Sequence, residues 1–418
     1  MKIAVIGAGI VGITTAYELS TDGHDVVVFE RLGAAAEAGS FANAGVIAPG
    51  YVTPWAAPGM RWQILSHLLR RHAPVRLAWP MGGSDLLWTW RWLRACNAQA
   101  YQRHRQALLM LASYSRQRLH ALVHARQLEF ERSQGYTVLL RSERDWQRQR
   151  RMLTLLREAG IQVQELDAVQ TRLREPALNP DTPLAGGLHL PDDEVGNCRQ
   201  FALLLKGLAQ QAGARFRFHS AVRALRPGSP AELVHGEGTE RFDAVIVCAA
   251  MGALDLLRPL GLVLPMTAIY GYSVSAPMRE ALYAPRSGVM DERYKVAITR
   301  LGRRVRVAGG AEVGGHPTRH RPAALATLYK VLRDWYPAAA QLSSGVQEWR
   351  GARAMMPHRP PMVGPSPLPG VWLNLGHGSS GWALSCGSAR AIADRLVNRD
   401  PNLDMAPFAY DPTLTPSG

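Results

Sequence analysis

Apolar residues come in unbroken runs early in the chain and in alternation later, and the two patterns predict different kinds of sheet. "KIAVIGAG" is an apolar run closed by glycines, as expected of a parallel strand buried on both faces. "IVGITTAYELSTDG" continues with helical spacing and stops at Gly23, and "HDVVVFE" predicts a second buried strand. From residue 61 to 127 the spacing is largely helical, broken near Pro74 and by "WPMGGSD". "YTVLL" then predicts a strand and "WQRQRRMLTLLREAG" a helix. The string "GGLHLPDDEVGNCRQFALLLKGLAQQAGARFRFHSAV" reads as a turn, a helix and a strand. "RFDAVIVCAAMGA" predicts a strand ending among small residues. Short strands "YGYSVSA", "YKVAITR" and "RVRVAGGAE" predict an antiparallel sheet, and "GVWLNLGHGSSGWALSCGSARAIADRLV" a strand, a glycine turn and a helix. No period of 20–50 residues appears, which excludes a repeat array.

The predicted class is α/β plus α+β. A Rossmann-like dinucleotide-binding domain is assembled from residues 1–60, 161–255 and 351–418. A second domain, for substrate, takes residues 61–160 and 256–350, with an antiparallel sheet and a helical insert. A length of 418 residues suits two or three domains, and 47% apolar content suits a globular fold. No apolar run reaches the ~18 residues of a membrane span. The first residues lack a signal-peptide pattern, which predicts a protein kept inside the cell. Cys96, Cys198, Cys248 and Cys386 are scattered and predict buried thiols rather than a metal or disulfide framework. No metal-ligand spacing or hydrolase triad motif is present.

Gly7, Gly9 and Gly12 have the G-x-G-x-x-G spacing between the first predicted strand and helix, with Ile10 and Val11 inside the turn. Such glycines permit a tight turn and close approach of the backbone to a pyrophosphate. The helix N-terminus adds free N–H groups and a positive dipole end. Glu30 ends the second strand eighteen residues after Gly12, with Arg31 beside it. An acid there bonds a ribose 2′-OH and repels a 2′-phosphate, which argues against NADP. The fingerprint itself fits FAD or NAD. Two features favour FAD: the small residues around Ala249 and Gly252, and a second glycine turn formed by Gly378, Ser379, Ser380, Gly381 and Trp382.

"VIGAGIVGITTAYEL", "SFANAGVIAPGYVTPWAAPG", "LPDDEVGNC", "GYSV", "DERYKVAITR", "RVAGGAE" and "LNLGHGSSGWALSCGS" together give the chain a family likeness. It resembles the D-amino-acid dehydrogenases, flavoproteins of the D-amino-acid oxidase superfamily, over almost its whole length. The resemblance implies non-covalent FAD, oxidation of a D-amino or D-imino acid to an imino product, and electron transfer to a respiratory acceptor such as a quinone. It also implies that Ser40, Asn43, Ala44 and Gly45 lie along the flavin, that Val222 joins the cofactor site, and that the chain after Pro49 enters the pocket mouth. Arg353, in "GARAMMPHRPPMVG", takes the position that anchors the substrate carboxylate. Ala354, Met356, His358 and Arg359 depart from the Pro, Thr, Asp and Gly usual in that loop, and Arg359 is expected to face solvent. Tyr51, Tyr272 and Tyr294 are the phenol candidates for binding the carboxylate or walling the pocket, and His377 is expected beside the flavin.

Charge changes this picture in one place. The net charge is +15, and residues 61–126 hold eleven arginines against one acid, Asp85. Six of the eleven tryptophans lie between Trp55 and Trp92. Trp62, Leu65, Leu68 and Leu69 share a predicted helix face flanked by Arg61, Arg70 and Arg71. That pattern suits a peripheral site on an anionic membrane, at the inner face of a bacterial cell membrane. No nucleic-acid-binding module accompanies the charge. Three alternatives stay open: a dehydrogenase of cis-4-hydroxy-D-proline, a non-catalytic flavin subunit of an electron-transfer complex, and a basic peripheral-membrane or nucleic-acid-binding protein with a vestigial FAD fold.

Overall fold

A fully apolar strand can satisfy its backbone only with neighbours on both edges. The first strand, Lys2–Ile6, accordingly pairs in parallel with Asp25–Phe29 on one side and Ala244–Val247 on the other. Val371–Leu375 and Arg215–Arg217 extend the parallel sheet, and Met362–Pro365 closes it as an antiparallel sixth strand. The computed structural model describes residues 1–62, 64, 72–316 and 319–412. Leu65, Leu68, Leu69, Arg70 and Arg71 of the expected amphipathic face lie outside the described residues.

The alternating segments form a second, ten-stranded mixed sheet. Its path runs from Gln347–Met355 through Thr267–Pro277, Arg304–Gly314, Val296–Leu301, Gly288–Asp291, Ser133–Leu140 and Gly186–Val195 to Val46–Ile47. "GGLHLPDDEV", read from sequence as a turn, is the ten-residue strand Gly186–Val195. Its glycine pair opens the strand, and its partners on Ser133–Leu140 lie some fifty residues upstream, so local pattern carries no trace of them. This strand and Val46–Ile47 fall in stretches assigned from sequence to the cofactor domain, yet both hydrogen-bond into the ten-stranded sheet.

The main core lies between the parallel sheet and the helices Ile10–Thr21, Cys198–Gln211 and Gly381–Leu396, joined by Leu111, Ala112, Leu119 and Leu122 of Ala98–Arg126. The four cysteines are free and buried. One buried acid ties the helices together. Glu18 accepts two hydrogen bonds from Arg118, at 2.7 and 2.8 Å, and one from Arg390 at 2.9 Å. Arg390 also pairs with Asp22 and Asp394, so the first helix, the insert helix and the C-terminal helix share one ionic cluster.

Gly12 marks the tightest contact of the fingerprint. A Cβ there would sit 1.8 Å from the carbonyl oxygen of Gly7, a backbone atom that cannot swing aside. Gly12→Ala is therefore expected to cost more than about 4 kcal/mol. Loss of soluble folded protein, or a large fall in Tm, checks this.

Candidate active site

The first and last helices run side by side in the same direction. Thr14 Oγ1 donates to the Ser385 carbonyl at 3.3 Å, and one turn further on Glu18 meets Arg390. Their N-termini, at Ile10 and Gly381, therefore face the same side of the molecule, and neither carries a side-chain cap from its own N-cap residue. Two positive dipole ends and a set of amide N–H groups without helical acceptors converge there, which is the chemistry of an anion or diphosphate cradle. Gly7, at φ +105°, brings the turn close to the strand end at Cys248 and Ala249: a Cβ would lie 2.8 Å from the Cys248 carbonyl oxygen. Glu30 accepts hydrogen bonds from the amides of Ala8 and Leu32, at 2.7 and 2.9 Å. A carboxylate offers about four lone-pair sites, so it retains capacity for a ribose hydroxyl. These residues fit FAD.

The remaining expected cofactor residues divide between backbone and side-chain positions. Arg31 is exposed beside Glu30, Val222 packs at the edge of a core cluster, and Gly252 ends a 3-10 turn after Ala249. Gly378, Ser379 and Ser380 form the 3-10 turn that leads into the last helix, where Ser379 Oγ accepts from Trp55 Nε1 at 3.2 Å. Trp382 packs in the core edge-on to Phe130 and tilted against Phe201, and its buried Nε1 has no hydrogen-bond partner. His377 contacts Ser388 Oγ at 3.1 Å, and burial pushes its pKa down to about 4, so it is neutral at physiological pH.

The segment from Ser40 to Gly45 is held by the first helix on one side and by the ten-stranded sheet on the other. Ser40 Oγ accepts from the Ile10 amide at 3.0 Å. On the other side Arg306 Nη1 donates to the Asn43 carbonyl at 2.8 Å, Thr299 Oγ1 to the Ala44 carbonyl at 2.9 Å, and the Gly196 amide to the Gly45 carbonyl at 2.8 Å. Asn43 Oδ1 accepts from the Gly45 amide, and Gly45 is at φ +85°. Sequence reasoning overlooked Arg306 and Thr299. Arg306 is buried, makes no ion pair with a carboxylate among the described residues, and has an unpartnered Nε. Burial pushes its pKa down to about 10. Its burial left no local signal: in the strand "RVRVAGGAE" Arg306 alternates with Val305 and Val307 and shares a face with Arg304, the pattern of a solvent-facing arginine.

Arg353 lies on the strand Gln347–Met355 and reaches across Thr267–Pro277 to donate to the Gly310 carbonyl at 2.8 Å. Two glycines make that crossing possible. At Gly271 a Cβ would fall 2.2 Å from Arg353 Nη2, and Gly310, at φ +72°, sits in a bulge where the pairing shifts between Tyr270 and Tyr272. No carboxylate pairs with Arg353 among the described residues, and burial alone pushes its pKa down to about 10. It stays protonated at neutral pH as a cation that lacks a counter-ion.

The three tyrosines go to different places. The Tyr272 hydroxyl is engaged, donating to Glu312 at 3.3 Å and accepting from Arg350 Nε at 3.0 Å. Tyr294 lines a narrow cavity with Tyr272 and Gly310, its ring contacted by Arg141 and Lys330. Tyr51 donates to Glu292 and accepts from Lys295 at 3.2 Å. The structure therefore gathers Tyr272, Tyr294 and Arg353 around Gly310 and commits Tyr51 to an ionic cluster. Arg359, expected in solvent, is half-buried and donates to the Ala409 carbonyl because the C-terminal segment folds back over its loop.

Removing the Arg306 clamp frees the Asn43 carbonyl and leaves the Ser40–Gly45 turn held from one side less. Arg306→Met is expected to weaken FAD retention at least tenfold while Thr299→Ala has a smaller effect, read by flavin fluorescence on dilution.

A model of the DAO family, FAD dependent oxidoreductase, matches residues 2–395. The D-amino acid dehydrogenase of Cereibacter sphaeroides is 40% identical over 420 residues, covering 100% of this chain and 96% of the relative. That of Vibrio cholerae is 37% identical over 409 residues, covering 96% of each. Among solved structures, glycine oxidase from Geobacillus kaustophilus aligns with a TM-score of 0.74 at 20% identity, covering 98% of both chains. L-proline dehydrogenase from P. horikoshii aligns at 0.73 and 15% identity, covering 96% of this chain and 95% of that one. The fold, the paired helix N-termini and the full-length matches agree: this chain belongs to the DAO family of FAD-dependent oxidoreductases.

Proposed function

We propose that the protein is an FAD-dependent dehydrogenase of D-amino acids, with Arg353 as the anchor of the substrate α-carboxylate. The observation that carries this is the uncompensated Arg353 charge. A partly buried guanidinium whose described acceptor is a single carbonyl has donors left for a planar, two-oxygen anion, and a carboxylate matches that fork. FAD, when bound, supplies the two-electron acceptor for the Cα hydrogen. The chain's own work is to bind, orient and exclude water. Arg353 holds the carboxylate, the Gly271 and Gly310 backbones set its reach, and neutral His377 leaves the C-terminal turn free of a competing charge. The imino product then hydrolyses to a 2-oxo acid.

The electron acceptor is read from a surface. Trp62 and Trp79 are 77% and 76% exposed, and Leu86, Leu87 and Trp90 are exposed with them. Arg94 stacks over the Trp90 ring at 4.8 Å, and Arg61 is exposed. Aromatic and aliphatic side chains among arginines suit an anionic bilayer surface, where a quinone is the available acceptor. No helix among the described residues is long and apolar enough to cross a membrane.

Anaerobic titration of the yellow protein with matched D- and L-amino acids, cis-4-hydroxy-D-proline included, tests the reading: D-substrates alone should bleach the flavin. Bleaching by L-amino acids, or by none, overturns it. Arg353→Lys should lower the second-order bleaching rate roughly 30- to 1,000-fold, the equivalent of about 2–4 kcal/mol. Replacing Trp79 and Trp90 by serine should reduce co-sedimentation with phosphatidylglycerol vesicles about tenfold, without change on vesicles of neutral lipid.

A further inference from the structure

A half-open cavity lies between the insert helix Ala98–Arg126, the loop that follows Met355, and the turn Gly378–Ser380. Its walls are stiff, being rich in proline, and Trp55 is fixed by its bond to Ser379. Its polar side chains include His104, His358 and Arg359, and no acid among the described residues lines it. His358 Nδ1, Arg359 Nε and Arg359 Nη1 are buried without hydrogen-bond partners. Arg91 and Arg103 add positive charge nearby, and among the described residues Asp411 is the acid acting on His358 and Arg359. Buried donors without acceptors are unfavourable unless a ligand supplies the acceptors. A guanidinium with two N–H groups free of acceptors suits a carboxylate, and a neutral imidazole adds one N–H donor.

The cavity adjoins the anchor. Arg353 and Met355 project from the same face of one strand, about 6.6 Å apart along it, and Met355 lines the cavity. We propose that this cavity is a second carboxylate site, which receives the side-chain carboxyl of an acidic D-amino acid whose α-carboxylate lies on Arg353. The inference rests on the substrate reading above and narrows it to a class. D-Glutamate separates its two carboxyls by three carbons and is the natural probe. D-Glutamine has the same shape without the charge.

The flavin-loaded protein is bleached anaerobically with each, and the oxidised protein is titrated with glutarate and butyrate while the flavin spectrum is followed. D-Glutamate should react at least tenfold faster than D-glutamine, and glutarate should bind at least tenfold tighter than butyrate. Arg359→Met should bring both ratios close to one, and Arg359→Lys should leave them intermediate. D-Glutamine matching or exceeding D-glutamate overturns the proposal. So does an Arg359→Met protein that loses FAD, since the cavity would then belong to the cofactor. If no D-amino acid bleaches the flavin, the substrate reading fails, and equal binding of glutarate and butyrate then overturns the site independently.

Discussion

The Ser40–Gly45 segment is the joint on which the arrangement depends. It passes from the parallel sheet to the ten-stranded sheet, and a chain crossing between layers must find partners for backbone groups that neither sheet supplies as a strand neighbour. Here the partners come from both sides: the first helix takes Ser40, and Arg306, Thr299 and Gly196 take three successive carbonyls. The position of one sheet relative to the other is thereby set within hydrogen-bond tolerance.

Two arginines of the ten-stranded sheet, Arg306 and Arg353, have no carboxylate partner among the described residues. Burying a charge without a partner is costly, and most proteins avoid it or neutralise the group. Arg306 meets the cost partly with the Asn43 carbonyl, and Arg353 with that of Gly310. By contrast, Arg350 sits beside the same strands fully paired with Glu312. The difference separates a structural cation from one with donors to offer. It also marks the Tyr272 hydroxyl as engaged, because it donates to Glu312 and accepts from Arg350.

The helical insert is part of this architecture rather than an appendage. Its long helix contributes Arg118 to Glu18 and lies so close to the last helix that a Cβ on Gly387 would come within 2.9 Å of the Ser115 backbone. His104 of this helix faces the loop after Met355, and the shorter helix Gly83–Ala95 buries Trp88, Trp92 and Ala95. Trp88 of the shorter helix turns inward and donates to the Met355 carbonyl at 2.8 Å, while Trp90, two residues on, faces outward. Helical spacing alone separates an internal tryptophan from a surface one.

Apolar runs, the glycine fingerprint, the acid at the end of the second strand and the arginine in "GARAMM" were determined by the sequence, because each is a local pattern with a local physical reason. The parallel sheet, the first helix and the C-terminal turn followed from them. What the tertiary structure decided depends on residues far apart in the chain. The strand Gly186–Val195 exists because Ser133–Leu140 is there to pair with it. Gly271 and Gly310 look like ordinary strand glycines until Arg353 is seen to cross them. Arg359 looks like a surface charge until the C-terminal segment closes over it. Hydrogen-bond partners and burial are properties of assembled layers, so the sequence named Arg353 and Arg359 but not Arg306, and only their surroundings showed which arginines have no carboxylate partner among the described residues.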